Sequence, residues 1–545
     1  MMRSEQDQAA PRGDSSTPPV YYPSIFNDVI GPVMRGPSSS HCAASVRIGR
    51  MARDLMEGDL SEIRIEFDPR GSLATTHDTQ GSDMGLFGGF LGWEASDERL
   101  VDSARFIQEA GIKTTISISD YGAEHPNTYK LTLKNAATQH EMIAVSTGGG
   151  MIEVIEIDGI RVSMTGDYYE TLIYLDAGAD QVLRYLKERD DADEIRLLRG
   201  PDTQLIEIKA QRFLDEQVIA GLCASYRVRA IKRLGPVLPV MSRRETRVPF
   251  ITCEQMLDYS KSRGLELWQL AIHYESTRGN MSHEQVFQTM RDIVGIMQQS
   301  ILVGLQGTEY ADRILGYQSG RFAARMEHNR LLDAGLLNRM ILYVTAMMEM
   351  KSSMGIIVAA PTAGACGGLP GACIGAASAM GLSLDDMTEA MLAAGMIGVF
   401  IAAHSTFAAE VCGCQAECGA GSGMAAAALV TLAKGTVEQA TGAASMALQN
   451  ILGMICDPVA NRVEVPCLGR NVLAASNALA CANMALADFD AVIPLDEVID
   501  TMDKVGRSIP VELRCTALGG LSVTRTSREI ERRLNRLRSE PGEAA

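Results

Sequence analysis

The chain has 545 residues, of which 46% are hydrophobic and 21% charged. This composition argues against extended disorder, and the length allows about three or four domains. The net charge of -17 argues against nucleic-acid binding, because phosphate backbones are also negative. Twelve cysteines are too sparse for a disulfide scaffold, and residues 1–20 predict a disordered polar tail without the apolar core of a secretory leader. We therefore expect a cytoplasmic protein with reduced cysteines.

The segment 21–165 mixes helix and strand. Residues 61–68 (SEIRIEFD) and 128–135 (TYKLTLKN) alternate apolar and polar side chains, which predicts half-buried strands. Two further extended runs flank Gly148–Gly149–Gly150. Three successive glycines predict a turn with positive φ and close backbone approach, which could serve as a ligand loop.

Residues 166–235 predict a compact unit with the order β-α-β-β-α-β. The strands are ETLIYLD, EIRLLRG, TQLIEIKA and YRVRAIKRL, and the helices are ADQVLRYLKER and DEQVIAGLCAS. This is the ferredoxin-like plan. Units of this kind either sense metabolites or only dimerise, so the fold alone proves no function. Residues 236–250 carry three prolines and three arginines and predict a linker.

Beyond residue 250 the sequence predicts an all-helical domain, over 251–540. Ser282 and Gln285 form a capping box ahead of an apolar-periodic run. From 340 to 485 the composition is rich in Ala, Gly and Met, and small residues let helices pack closely. The stretch 391–409 is long enough to span a membrane, but its alanines, glycines and histidine favour a buried core helix. We expect no membrane partner.

Three cysteines in this region each adjoin a turn-forming residue, namely Cys414, Cys456 and Cys467. Thiolates at turns or helix ends, where backbone N–H groups point outward, suit an iron–sulfur cluster because these donors stabilise its negative charge. The alternative is that all three are small buried hydrophobic residues, which is common for free cysteine. Spacing alone leaves both interpretations open.

The sequence around these cysteines resembles the iron–sulfur-dependent L-serine dehydratases. The resemblance rests on GCQAE (413–417), CDPVANRVEVPC (456–467), RNVLAASNALACANMAL (470–486), AAPTAGACGGLPGA (359–372), RCTALGGL (514–521), GPSSSH (36–41), GSLATTHDTQGSD (71–83) and HPNT (125–128). These motifs follow the order β-segment, regulatory module and α-segment in one fused chain. The resemblance implies an α+β multidomain fold, with a β-type domain over 21–165, an ACT-type regulatory module over 166–235 and an all-α catalytic domain.

The resemblance further implies that Cys414, Cys456 and Cys467 bind a 4Fe–4S cluster. Three thiolates for four irons leave one iron open to the hydroxyl and carboxylate of a substrate, where it acts as a Lewis acid. Cys412 and Cys418 are rival ligands by proximity. Only Cys414 fits the family motif, so the other two are expected to be packing residues.

Water elimination also needs a base for the α-proton. His41 is the candidate, because the pKa of histidine can be tuned near neutrality; the alternative is a helix cap with a structural histidine. The resemblance implies substrate-binding roles for Ser38, Ser39, Ser40, Ser319, Gly320, Arg321, Thr362, Gly364 and Thr516. Hydroxyls, a guanidinium and closely approaching glycines suit a carboxylate. Arg470 and Asn471 are expected to tune the cluster. Such a site requires the N-terminal domain to dock on the helical one.

The chain departs from the family in three places. It reads Arg514–Cys515–Thr516 where relatives read Arg-Glu-Thr, and it has Arg321 where they have lysine. It also reads STFAAEVCGCQ where they carry a small Ser-Gly-Ala stretch. Losing a carboxylate and gaining a guanidinium suits a substrate without an ammonium group, since an unpaired buried charge is costly.

We expect a 4Fe–4S-dependent lyase that dehydrates a small β-hydroxy carboxylate, with L-serine to pyruvate and ammonia ranked first, in a homodimer or larger homo-oligomer. The alternative is dehydration of 2-(hydroxymethyl)glutarate to 2-methyleneglutarate in nicotinate catabolism. A non-enzymatic iron–sulfur sensor would not need the GPSSSH and PTAG motifs. A pyridoxal-phosphate dehydratase would need a Schiff-base lysine, and only Lys351 and Lys434 lie near the Ala/Gly-rich core.

Overall fold

A computed structural model describes residues 21–200 and 203–539, so the polar tail predicted for residues 1–20 lies outside the described residues. Over these ranges the chain is an α+β protein with mixed sheets and a helical C-terminal region, as the sequence predicts. The two larger sheets are formed by strands between Glu62 and Leu234, and helices account for most of the structure after Cys253.

The N-terminal part is a six-stranded sheet with helices packed against it. Its elements are β1 (Val33–Met34), α1 (Ala44–Leu55), β2 (Glu62–Phe67), α2 (Leu73–Thr76), α3 (Ser82–Phe90), α4 (Ser103–Glu109), β3 (Lys113–Ile118), β4 (Thr128–Lys134), β5 (Gln139–Gly148), β6 (Met151–Ile157) and β7 (Ile160–Met164). The sheet order is β3-β2-β4-β5-β6-β7, and only the β2–β3 pair is parallel. The predicted strands at 61–68 and 128–135 are β2 and β4. Their alternating apolar side chains enter a core shared with α1 and α3.

The next unit has the predicted β-α-β-β-α-β order. It consists of β8 (Tyr169–Leu175), α5 (Ala179–Lys187), β9 (Glu194–Arg199), β10 (Gln204–Ala210), α6 (Glu216–Ser225) and β11 (Val228–Leu234). The sheet is antiparallel, in the order β11-β8-β10-β9. This arrangement is the ferredoxin-like plan. It encloses a small core of its own, built from the inner faces of the strands and the two helices.

The segment predicted as a linker contains neither helix nor strand between Leu234 and Cys253. It nevertheless packs against the rest of the protein. Leu238, Val240 and Phe250 are buried. The Asn27 side chain donates to the Val240 carbonyl at 2.6 Å and accepts from its N–H at 2.9 Å. The segment therefore runs as a packed strap beside the N-terminal residues.

The helical region is held by close contacts between small side chains. Its elements are α7 (Cys253–Lys261), α8 (Leu267–Gly279), α9 (His283–Gln306), α10 (Ser319–Glu327), α11 (Leu336–Ser352), β12 (Ile357–Val358), α12 (Gly368–Met380), α13 (Leu384–His404), α14 (Ala409–Cys412), α15 (Cys418–Leu432), α16 (Val437–Gln449), α17 (Cys467–Leu486), α18 (Leu495–Ser508) and α19 (Arg525–Ser539). The capping box predicted at Ser282 and Gln285 opens α9.

Among the described helices, α13 alone is long and apolar enough to cross a membrane, but 78% of its apolar window is buried inside the protein. This fits the core helix predicted there.

The first described residues are embedded in the helical region. Ile25 and Val29 pack on α13, and the buried Glu275 carboxylate on α8 accepts from the backbone N–H of Ile25 at 2.8 Å. Strand β1 pairs antiparallel with β12, so Val33 faces Val358 across a two-stranded ladder. These contacts bring the segment that follows β1 against the segment that follows β12.

Candidate active site

His41 lies in a short π-helical turn, Ser39–Ala43, that runs directly into α1. Its ring is fully buried; Nδ1 lies 3.1 Å from the hydroxyls of both Ser38 and Ser40, and Nε2 lies 2.8 Å from the Thr76 hydroxyl. Burial lowers the pKa of His41, and the Glu410 carboxylate, 3.6 Å from Nδ1, opposes that effect only in part. The imidazole is therefore neutral near neutral pH and can accept a proton.

The turn that carries His41 contacts the helical region through two hydroxyls. Ser40 Oγ donates to Glu410 Oε1 at 2.9 Å, and Ser39 Oγ accepts from the N–H of Ala363 at 3.1 Å. Glu410 belongs to α14, and Ala363 belongs to the PTAG motif. The N-terminal segment thus docks on the helical one at His41, as the proposed site requires.

The triple-glycine turn reaches the same part of the interface. Gly148, Gly149 and Gly150 have φ values of +111°, +61° and +94°, a region that glycine enters without steric cost. A Cβ at Gly148 would lie 2.9 Å from the backbone nitrogen of Ala408, the residue just before α14. The predicted positive φ and close backbone approach are both present, and the contact supports the helix that carries Glu410.

The three predicted ligand cysteines are buried at turns or helix starts. Cys414 begins a short 3₁₀ turn, Cys467 is the first residue of α17, and Cys456 forms an isolated parallel bridge with Arg514. Cys418, the first residue of α15, and Cys515 pack with Cys414 and Cys456 in one small cluster. We call Cys414, Cys418, Cys456, Cys467 and Cys515 the thiol group.

Members of the thiol group respond to one another's charge. A hydrogen bond from Cys418, assisted by Arg470, lowers the pKa of Cys414 to about 7 against the effect of burial. A hydrogen bond with Cys515, together with burial, raises the pKa of Cys456. Burial raises the pKa of Cys467, and the Cys414 charge raises the pKa of both Cys456 and Cys467. Of the three predicted ligands, Cys414 is therefore the one with a pKa lowered toward neutral pH.

Cationic and amide donors surround the thiol group. Arg470 pairs with Asp457 at 2.7 Å, and its Nη1 is buried without a partner; Nε of Arg514 is likewise unpaired. Asn471 Nδ2 lies 3.6 Å from Cys418 Sγ and also donates to the Cys467 carbonyl at 2.8 Å. Buried donors without acceptors beside thiols fit a bound group of negative charge.

In residues 21–200 and 203–539, no three His, Cys, Asp or Glu side chains form a group that could hold a single metal ion. A 4Fe–4S cluster makes a different demand, because each thiolate binds a different iron and the ligands need not meet at one point. The buried thiols and their unpaired cationic donors fit such a cluster by their chemistry. Ligation by Cys414, Cys456 and Cys467 stays a prediction.

Two carboxylates near the thiols, the buried Glu410 and the partly buried Glu417, were missed by the sequence interpretation. Burial and the charges of Cys414 and Glu410 raise the pKa of Glu417 to about 8, although the Thr362 hydroxyl bonds to it. Glu417 is thus mainly protonated at neutral pH. A signal for both was available, because no other Asp, Glu, Lys or Arg occurs from 391 to 432, and an acidic residue inside an apolar stretch points to a specific buried role.

Several predicted substrate-binding residues gather around these carboxylates. Thr362 and Gly364 flank Ala363, which contacts the His41 turn. A Cβ at Gly364 would lie 3.2 Å from both carboxylate oxygens of Glu417, so the predicted close approach at this glycine is real. The structure therefore brings Ser38, Ser39, Ser40, His41, Thr362 and Gly364 to one interface, although their contact with substrate stays a prediction.

The other predicted substrate-binding residues have different surroundings. The Ser319 hydroxyl donates to Glu349 at 2.6 Å, Gly320 lies against the Tyr317 ring, and Arg321 is exposed on α10. These contacts join Ser319 and Gly320 to α11 and Tyr317 rather than to the thiol group. Thr516 follows Cys515, and its carbonyl accepts from the Thr75 hydroxyl at 3.4 Å, which places it where the 71–83 loop meets the C-terminal segment.

A cleft of about 510 Å³ opens between the two segments beside this interface. The N-terminal segment contributes Pro37 and the 78–84 stretch, and the helical region contributes Lys351 and residues 462–464. The cleft thus has the His41 turn on one side and the loop that leads to Cys467 on the other. A small molecule entering it would meet both segments.

A neutral buried imidazole, a carboxyl with a raised pKa and a group of thiols lie near the interface of the two segments, beside a cleft, and this combination is typical of an enzyme active site. A family model described as "Serine dehydratase alpha chain" matches residues 262–522.

Individual relatives agree with that match. The chain is 35% identical over 285 residues to the probable L-serine dehydratase alpha chain of Bacillus subtilis strain 168, covering 52% of this chain and 95% of the relative. It is 38% identical over 152 residues to the probable L-serine dehydratase beta chain of the same strain, covering 28% of this chain and 68% of the relative. It is 26% identical over 497 residues to the L-serine dehydratase of Streptomyces coelicolor, covering 90% and 96%. The chain belongs to the L-serine dehydratase family, and as a member it is a lyase.

Proposed function

We propose that the chain dehydrates L-serine to pyruvate and ammonia and that it depends on a 4Fe–4S cluster held by Cys414, Cys456 and Cys467. The relatives named above are L-serine dehydratases, which ranks L-serine ahead of 2-(hydroxymethyl)glutarate. The observation that carries the proposal is the docking of the His41 turn on Glu410 and Ala363, beside the thiol group.

When bound, such a cluster would supply a Lewis-acidic iron that makes the β-hydroxyl a better leaving group. The chain contributes the charge balance around it. Arg470 and Arg514 keep buried N–H groups without partners next to the thiols, and these can bond to the negative sulfur atoms. The apolar packing of Cys414 and Cys456 excludes water from the same volume.

His41 and Glu417 form the proton-transfer pair of the proposed reaction. The low pKa of the His41 imidazole lets it accept the α-proton, and the raised pKa of Glu417 lets it give a proton to the departing hydroxyl. The α C–H and β C–O bonds break, a C=C bond forms, and water leaves. The resulting 2-aminoacrylate takes up water and releases ammonia to give pyruvate.

Glu410 and Thr76 orient the base. The Thr76 hydroxyl donates its proton to the Ser72 carbonyl at 2.7 Å, so at 2.8 Å from Nε2 of His41 it accepts from the ring N–H. Nδ1 is then the basic nitrogen, and the Glu410 carboxylate, 3.6 Å away, stabilises the proton that it gains. A substrate that displaces the Ser38 hydroxyl, 3.1 Å from Nδ1, places its α-proton at this nitrogen.

The direct test is anaerobic purification, reconstitution with iron and sulfide, and a pyruvate assay with L-serine. We expect about four iron and four sulfide per chain and pyruvate formation from L-serine. Replacing Cys456 by serine should remove both iron and activity, whereas Cys223→Ser, at an exposed position on α6, should leave both unchanged. Reconstituted protein that binds a full cluster but does not convert L-serine would contradict the proposed substrate.

We also propose an ACT-type regulatory role for the unit β8–β11, a homodimeric or larger assembly, and a cytoplasmic location. The β-α-β-β-α-β order and the separate core of this unit support the regulatory role. Light scattering of the reconstituted enzyme tests the assembly. Calorimetry with L-serine on a chain lacking activity through Cys456→Ser tests whether a second site binds the amino acid.

A further inference from the structure

Lys351 is a buried lysine in the last turn of α11. Only 1% of its surface is exposed, and it lies at the inner wall of the cleft between the two segments. Its ammonium donates to the backbone carbonyl of Val463. Within the described chain no carboxylate lies within 4.0 Å of Nζ. Because an ammonium carries three N–H donors, most of its hydrogen-bonding capacity is left for a ligand.

The other charged side chains that line the cleft already have partners. Arg462 pairs with Asp312, and Asp83 pairs with His77 at 2.8 Å. The Glu464 carboxylate accepts from the backbone N–H groups of Ile314 and Leu315 at about 3 Å, and Asp78 also takes part in an interaction. Lys351 is therefore the lining charge without an opposite charge in contact.

The Lys351 side chain lines the cleft, and its charge also acts on the reacting groups. Its positive charge partly opposes the rise in the pKa of Cys467 and of Glu417, so it acts on both the thiol group and the proposed proton donor. The same charge opposes the rise in the pKa of Glu464, but no carboxylate in the described chain forms an ion pair with Nζ. Burying a charge without an ion-pair partner is costly, and the cost falls when an anion binds beside it. An anion that enters the cleft would be held here, next to the groups that act on it.

We propose that Lys351 binds a carboxylate of the substrate inside the cleft. The inference rests on the proposed function, which it extends by naming the residue that recognises the acid. A single buried ammonium with free N–H donors suits a carboxylate better than a neutral group. Two sources have this chemistry: the α-carboxylate of L-serine, or a second carboxylate of a nitrogen-free hydroxy acid such as 2-(hydroxymethyl)glutarate.

The test compares Lys351→Met and Lys351→Arg with wild type in the reconstituted enzyme. Methionine keeps the length and apolar stem but removes the charge, so we expect KM to rise by about 10- to 100-fold with kcat within about threefold, because the contact persists from bound substrate to transition state. Lys351→Arg should recover at least part of the affinity. The control is Lys434→Met, which removes an exposed lysine paired with Asp386 and Glu389 and should leave KM unchanged.

Iron content and thermal unfolding of each variant show whether the fold and cluster are retained. Calorimetry of wild type and Lys351→Met with L-alanine, which lacks the leaving hydroxyl, provides a readout without turnover; wild type should bind it more tightly. An unchanged KM and unchanged L-alanine binding in Lys351→Met would overturn the proposal. A rise in KM that Lys351→Arg does not reduce would overturn it too, since the charge would then not be the cause.

Assays with two substrates, L-serine and 2-(hydroxymethyl)glutarate, separate this inference from the proposed function. A larger effect of Lys351→Met on L-serine assigns the lysine to the α-carboxylate. Turnover of 2-(hydroxymethyl)glutarate but not L-serine by wild type would refute the proposed substrate; the same rise in KM for the dicarboxylate would still support Lys351. Turnover of L-serine with no effect of Lys351→Met would keep the proposed function and reject the lysine.

Discussion

Both ring nitrogens of His41 have hydroxyl partners. Asparagine can fill part of the same volume and keep polar contacts, but it is not a base. We expect His41→Asn to lower kcat/KM for L-serine by about 10²- to 10⁴-fold, the usual contribution of a general base, with iron content unchanged. His404→Asn is the matched control, because His404 is exposed and its ring hydrogen-bonds to the Ile251 carbonyl at 3.2 Å, outside the site. Activity of His41→Asn within about threefold of wild type would leave His41 as a structural residue.

The pH dependence follows from the opposite shifts of His41 and Glu417. The base must be neutral, and burial lowers its pKa, so kcat/KM should rise with pH only below about 6.5. The acid must be protonated, and its pKa is raised to about 8, so activity should fall as pH rises through that value. In Glu417→Gln the alkaline limb should disappear from a pH–rate profile with reduced kcat. An unchanged alkaline limb in this variant would assign the limb to another group.

Cys414 and Cys418 are close enough to exchange a hydrogen bond, and one experiment distinguishes their roles. We expect Cys414→Ala to lose the iron and the visible thiolate-to-iron absorption. Cys418→Ala should keep both, although loss of its hydrogen bond raises the pKa of Cys414 and makes assembly slower at neutral pH. Iron analysis and absorption spectra after reconstitution provide the measurement. The reverse pattern would make Cys418 the ligand.

At the scale of elements, the triple-glycine turn between β5 and β6 fixes the position of α14. Gly148→Ala adds a methyl group 2.9 Å from the Ala408 nitrogen at a φ of +111°, so we expect it to lower both the free energy of unfolding and activity. Gly159→Ala is the matched control. That residue also has positive φ, +74°, but a Cβ there meets nothing within 4 Å.

The control separates backbone strain from close approach. Gly159→Ala should cost about 1 kcal/mol of stability with normal kcat, which is the usual cost of a left-handed non-glycine residue. Gly148→Ala should cost clearly more and also lower kcat, because α14 and Glu410 move with Ala408. Denaturant unfolding and the pyruvate assay measure the two effects. Equal losses in both variants would show that the turn does not position the site.

The elements that the sequence predicted well are those with a strong local signal. Strands β2 and β4 alternate in polarity, α9 opens with a capping box, and the ferredoxin-like order can be followed along residues 166–235. The packed strap at 236–250 was predicted only as a linker. Its prolines indicate irregular backbone, whereas its burial depends on Asn27, more than two hundred residues earlier.

The site could be predicted in part for the same reason. His41 and the cysteines stand in distinctive local motifs, so residue type and neighbours identify them. Glu410 and Lys351 lack such motifs, and their importance comes from burial and from contacts across the fold. Glu417 ends the GCQAE motif, but the motif alone gives no reason for a raised pKa. The pairing of Ser40 with Glu410 joins residues 370 positions apart, a distance that no local pattern can bridge.

At the scale of the whole molecule, the two segments are held together by more than the chain between them. Strand β1 pairs with β12, the Ser39 and Ser40 hydroxyls bond across the interface, and the Arg462 guanidinium donates to the Thr79 carbonyl at 3.2 Å. The residues around Ile25 are packed among α8 and α13. The interface therefore does not depend on the strap alone.

Cutting the strap tests this interface. Residues 243–245 are exposed, so a protease site inserted there can be cleaved in the folded enzyme. We expect the two fragments to elute together in gel filtration and to keep most of the activity, because the contacts named above remain. Cleavage at an inserted site near Asp191, also exposed, serves as a control outside the interface. Separation of the fragments without denaturant would show that the strap holds the segments together.

The β1–β12 pairing joins two segments that belong to one chain, and this has a consequence for how the enzyme is produced. The Bacillus subtilis relatives are named as an alpha chain and a beta chain, whereas here one chain carries both the proposed proton acceptor, His41, and the thiol group. A tether of this kind keeps its two ends at an effective concentration of the order of millimolar. The two segments do not have to associate by diffusion. They are also made in equal amounts, so no excess of the thiol-bearing segment is left exposed to oxygen.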